Sequence, residues 1–125
     1  MISSRRAHEV VALLMVLGGL GHSGATVFAF DEMSPEAMWF MSAGLMMAFL
    51  GFLNLAAAGS GGGLRRLSLL TEAANVLAAL FLIPLYVSMR APASIGLFSL
   101  TVAAFWLECR NLRAATPPSA PPQPR

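Results

Sequence analysis

Long apolar stretches alternate with short polar breaks along this chain. The first runs from about Ala7 to Phe30 and is interrupted by His8, Glu9, His22, Ser23 and Thr26. The turn DEMSPEA follows, in which Ser34 can cap the next helix and Pro35 fits its first turn. A second stretch, Pro35 to Ala58, ends in GSGGG, a break that no helix interior carries. The third spans Leu67 to Met89, and Arg90, Ala91 and Pro92 make a turn. The fourth, Ala93 to Cys109, is the shortest and reaches full width with Ala91 and Arg110. At about 1.5 Å per residue, each is long enough to cross about 30 Å of hydrocarbon. Nothing in them alternates as the strands of a membrane β-barrel do.

The pattern therefore predicts an all-α integral membrane four-helix bundle over residues 1–113, with spans at 7–30, 35–58, 67–89 and 91–110. The rest, 114–125, contains TPPSAPPQPR, too rich in proline and polar residues to pack, and reads as a disordered cytoplasmic tail. Composition agrees: 57% of the residues are hydrophobic and 11% charged, against about 25% charged in a soluble domain. A core of this size could not hide so much apolar surface from water.

Charge adds an orientation. The cationic side chains are eight arginines with no lysine. Arg5 and Arg6 precede the first span, Arg65 and Arg66 lie between the second and third, and Arg110, Arg113 and Arg125 follow the fourth. Arg90 alone falls on the opposite side, together with Asp31, Glu32 and Glu36. This bias places both termini in the cytoplasm. It is a topology signal, so no nucleic acid is expected as partner. Trp39 and Phe40 sit one turn inside the outer boundary, as an aromatic belt would, and Trp106 lies near the inner one. A secretory signal peptide is a rival reading of the start, with cleavage after Ala25 or Ala29. The apolar run continues past the glycines to Phe28, and Glu9 interrupts its beginning, which favours a retained span.

Ionisable residues inside spans are costly and are the first place to look for function. Counted from the arginine-rich edge at about 1.5 Å per residue, Glu9 and Glu108 fall within about 3 Å, where they reach water. By the same count Asn54 lies at about 5 Å, Glu72 at about 8 Å, Asn75 and Thr101 at about 12 Å and His22 at about 20 Å. His22 and Glu72 are then too far apart for a dyad. Glu72 forms one helical stripe with Ser68 and Asn75, and its expected partners are Arg65, Arg66 or Asn54. Burial could instead leave it to gain and lose a proton as a substrate enters. The candidate functional residues are accordingly Glu72, Asn75, Asn54 and His22.

His22 stands in GGLGHSGA, among glycines expected to let helices touch. Gly18, Gly21 and Ala25 in the first span, and Gly44, Ala48 and Gly51 in the second, are the expected packing positions. Pro84 leaves the carbonyl of Leu80 unbonded at the depth of His22. The ring is expected to be neutral, to face the second and third spans, and to bond that carbonyl or a serine hydroxyl.

Cofactor chemistry finds little support. Cys109 is the single cysteine, which excludes an internal disulfide and the paired thiols of quinone-coupled disulfide enzymes. Met33, Met38, Met41 and Met89 fall near one level, but methionine is an ordinary filler of apolar gaps and no Met-x-x-Met run accompanies them. His8 is too near the boundary to complete a bis-histidine haem site with His22. No catalytic residue, metal or cofactor is assigned.

The four-span plan, GGLGH in the first span and SPEAMWFMSAGLMMAFLGFLNL in the second resemble the small four-helix bacterial membrane proteins loosely grouped as DoxX-like. The resemblance covers Val10 to Cys109. It implies a four-helix bundle in the bacterial inner membrane and carries over no catalytic residue. Small multidrug transporters share the length and span number, but their buried glutamate lies within the first span. The reading from sequence is thus a non-enzymatic accessory or interaction protein. Its partners are the lipid bilayer and either a second copy or a larger membrane protein. The alternative is a small proton-coupled transporter acting as a dimer, with Glu72 as proton carrier.

Overall fold

The structure is a computed structural model that describes residues 3–60, 63–89 and 92–115. The turn at Arg90 and Ala91, the side chain of Met89 and the tail from Thr116 to Arg125 lie outside the described residues. The fold is all-α, with no strand among the described residues. Helix α1 spans Ser4–Gly24, α2 is the short Thr26–Ala29, α3 spans Pro35–Gly59, α4 spans Arg65–Met89 and α5 spans Pro92–Ala115.

Local chemistry sets the helix starts. The Ser3 hydroxyl accepts from Arg6 N at 3.3 Å and caps α1. Ser34 does the same for α3, accepting from Ala37 N at 3.2 Å, with Pro35 in the first turn. Helix α2 continues α1 with little interruption, because Ala25 N still donates to Gly21 O at 2.9 Å. Pro84 lies inside α4 and is exposed. The ends differ from the sequence reading in one consequential respect: α1 begins at Ser4, α4 at Arg65, and α5 runs past Arg110 to Ala115.

Among the described residues, three stretches are long and apolar enough to cross a membrane: Ser4–Ala29, Pro35–Gly59 and Arg65–Pro84. Helix α5, with Glu108, Arg110 and Arg113 in its later turns, is not among these three. Large apolar side chains cover the outside of the bundle, among them Phe28, Trp39, Phe49, Leu70, Leu77 and Val87.

The tightest helix contact joins α1 to α3 through glycine. A Cβ on Gly19 would come within 2.5 Å of both Ala48 N and Gly44 O. One on Gly44 would strike Ser23 Oγ and lie 2.5 Å from Gly19 O. One on Gly51 would lie 2.8 Å from Val16 N. Backbone therefore meets backbone, as small residues permit. The inward stripe of α1 is His8, Ala12, Met15, Val16 and Gly19, and Thr26 of α2 is buried beyond it. That phase leaves Gly18 and Gly21 exposed, with open space where a Cβ would stand, and Ala25 half-buried. The contact thus runs through Gly19 where the spacing pointed to Gly18 and Gly21, while Gly44, Ala48 and Gly51 lie in it. Further toward the arginine-rich end, Met15, Met47, Leu50 and Ala104 form the apolar core, with Val11, Ala74, Ala78 and Leu100 packed around them.

Candidate functional site

Each long helix continues its apolar inner stripe into polar residues toward the arginine-rich end. On α1 the stripe reads Met15, Ala12, His8; on α3 it reads Met47, Leu50, Asn54; on α4, Asn75, Thr71, Ser68; on α5, Thr101, Ala104, Glu108. Intervals of three and four residues keep them on one face of each helix. His8, Asn54 and Asn75 are fully buried, and Glu108 is 1% exposed.

These side chains bond one another across all four long helices. Asn54 Nδ2 donates to Asn75 Oδ1, and Asn75 Nδ2 donates to Asn54 Oδ1, both at 3.0 Å. Asn54 Nδ2 also donates to the Leu50 carbonyl at 2.9 Å. His8 Nε2 lies 3.0 Å from Asn54 Oδ1, and its Nδ1 lies 3.1 Å from Glu108 Oε2. Asn111 Nδ2 approaches Nδ1 more distantly, at 3.4 Å, while Asn111 Oδ1 accepts from the Ser4 hydroxyl at 2.9 Å. The cluster can hold helices in register, and through His8 and Glu108 it can hold a proton.

Of the residues singled out from sequence, the structure brings together Asn54 and Asn75 alone. The depth count had put them about 7 Å apart. It failed because it assumed flush helix ends, whereas the reciprocal bonds require α3 and α4 to be offset along their axes. Glu108 needs the same correction. It does not reach water at the edge but is buried against His8, because α1 and α5 both extend beyond the expected boundary.

Glu72 lies apart from this cluster. It is half-buried and accepts from Cys109 Sγ at 3.1 Å. Arg65 and Arg66, its expected partners, are exposed, and the ion pairs among the described residues are Arg5 with Glu9 and His8 with Glu108. The α4–α5 packing decides this pairing, since Cys109 comes from the neighbouring helix and Arg65 from the end of α4.

His22 stands at the other end of the bundle, half-buried and stacked on Phe40 with centroids 3.9 Å apart. Phe30 meets Phe40 edge-on at 5.6 Å. The ring of His22 has no hydrogen-bond partner among the described residues. The nearby serine, Ser23, donates to the Met41 carbonyl at 2.8 Å, and Leu80 is exposed. An aromatic neighbour replaces the polar one expected from the sequence.

His8, Glu108 and Asn111 were not singled out as site residues. The signal was present in their spacing: His8 is four residues before the buried Ala12, and Glu108 four after the buried Ala104. Among the described residues no three His, Cys, Asp or Glu side chains are grouped to hold a metal ion. Comparison with protein-family models, curated proteins and solved structures finds no match to this chain.

Proposed function

We propose that this chain is a small multi-pass protein of the bacterial inner membrane, DoxX-like in pattern, with both termini in the cytoplasm, acting as a non-enzymatic accessory or interaction protein. One observation carries the proposal: the bundle is apolar outside and keeps its polar cluster inside. Phe28 is 90% exposed and Trp39 76%, while His8, Asn54 and Asn75 are at 0%. Outward apolar area of this kind is disfavoured in water by about 25 cal/mol per Å² and is at home in lipid. Arg5, Arg6, Arg65, Arg66, Arg110 and Arg113, near one set of helix ends, support the orientation. Polar groups engaged with one another hold helices and leave little to receive a substrate. The working surface is then the exterior, against lipid, a second copy or a larger membrane protein.

Proton-coupled transport by a dimer, with Glu72 as carrier, is the second reading. It is favoured by the half-buried position of Glu72 and by its thiol partner in place of an arginine.

Membrane extraction and reconstitution test both. The accessory reading expects the chain to resist alkaline carbonate extraction. In proteoliposomes it expects a trapped pH-sensitive dye to stay silent with wild type and Glu72→Gln alike. Solute-dependent proton flux abolished by Glu72→Gln would establish the transporter instead. Release by carbonate would overturn both.

A further inference from the structure

The hydrogen-bond pattern around His8 determines where its protons must be. A carboxamide nitrogen carries two hydrogens and no acceptor lone pair. Asn54 Nδ2 uses both, toward the Leu50 carbonyl and Asn75 Oδ1, which fixes Oδ1 as the atom facing His8. That oxygen can only accept, so His8 Nε2 must carry a hydrogen. In a neutral ring Nδ1 would then be bare.

Bare Nδ1 would face Glu108 Oε2 at 3.1 Å, lone pair against lone pair, with both side chains almost fully buried. Glu108 Oε2 has no hydrogen-bond partner; its contact with Nδ1 is one of ion-pair distance. Asn111 Nδ2, at 3.4 Å from Nδ1, is a long-range donor to the same nitrogen and leaves Oε2 unserved. Buried polar atoms that lack a partner are costly. One further proton in the Nδ1···Oε2 contact removes the repulsion between the two lone pairs and leaves the buried pair without net charge, whichever atom holds it.

We propose that His8 and Glu108 form a buried proton-binding site, in which a single proton between Nδ1 and Oε2 fastens α1 to α5. With that proton the pair is neutral, as imidazolium with carboxylate or imidazole with carboxylic acid. Without it, one negative charge is left buried. The elements around the pair cannot compensate that charge. Helix α3 contributes the neutral Asn54 to the cluster and α4 the neutral Asn75. On α1, Arg5 and Glu9 pair with each other at 3.0 Å on the exposed side. On α5, Cys109 is turned to Glu72 of α4, Arg110 lies over the Trp106 ring, and Arg113 is exposed. Ser4 and Asn111, both half-buried, form a hydrogen-bonded chain from the arginine-rich end to Nδ1.

Substitution gives the first test. Glu108→Gln offers an amide donor to Nδ1 and should keep the α1–α5 contact. Glu108→Leu leaves Nδ1 buried with no donor at that position and should lower the folding constant by about tenfold or more relative to Glu108→Gln. The measurement is reversible unfolding of the full chain in detergent micelles, comparing the two variants. Equal stability of the two would overturn the proposal.

A second measurement on wild type alone holds even where Glu108→Gln fails to fold. Nitrogen-15 spectra of labelled histidine at neutral pH, with His22→Phe removing the other ring, report the state of Nδ1. Infrared spectra with labelled glutamate report the carboxyl. A protonated Nδ1 or a protonated Glu108 supports the site. Bare Nδ1 beside ionised Glu108 overturns it.

Discussion

Asn54 of α3 and Asn75 of α4 hold each other through two reciprocal amide hydrogen bonds, each 3.0 Å long, in a fully buried position. This is the one polar tie among the described residues between two helices that otherwise meet sparingly, since α4 packs mainly on α5 and α3 mainly on α1. The pair also orients Asn54 toward His8, so it sets the hydrogen-bond direction for the whole cluster.

Replacing either amide leaves the other buried without its partner. Asn54→Leu or Asn75→Leu should destabilise the bundle by about 1–3 kcal/mol each. Because the two losses share one interaction, the double variant should lose less than the sum of the singles. A double-mutant cycle by unfolding in micelles measures the coupling; additive losses would show that the amides act independently.

The α1–α3 contact separates glycines that look alike in sequence. Gly44→Ala sets a Cβ against Ser23 Oγ and 2.5 Å from Gly19 O, so the helices must part, at a cost of about 1–3 kcal/mol. Gly18→Ala meets nothing within 4 Å and should stabilise α1 by about 0.5–1 kcal/mol through helix propensity. Melting temperatures of the two variants should therefore move in opposite directions.

Ser34 caps α3 from outside its first turn. Ser34→Ala removes the acceptor for Ala37 N and should lower stability by about 0.5–2 kcal/mol, whereas Ser34→Asp should retain it. Thermal unfolding compares the two; equal losses would place the contribution elsewhere.

The proposed orientation in the membrane rests on the arginines and is open to direct assay. Reporter fusions at Ala115 and near Glu32 should signal opposite compartments, with the former in the cytoplasm. A periplasmic signal from Ala115 would reverse the proposed orientation.

The sequence by itself determined the helices. Apolar run length, the caps at Ser34 and Pro35 and the break at GSGGG are local signals, and each acts within a few residues of the structure it specifies. It also pointed to the α3 side of the main contact, Gly44, Ala48 and Gly51, because small residues at three- and four-residue intervals share a helix face. The partner face of α1 was harder to read, since its glycines at 18, 19, 21 and 24 populate several faces and packing selects the one through Gly19. Tertiary structure alone decided the pairings: His8 with Glu108, Asn54 with Asn75, Glu72 with Cys109, and His22 with Phe40. Each depends on the axial offset between helices. A slip of one turn moves a side chain by about 5.4 Å, more than the reach of a hydrogen bond. No count from an assumed boundary resolves that offset, because it is set by how whole helix faces pack together.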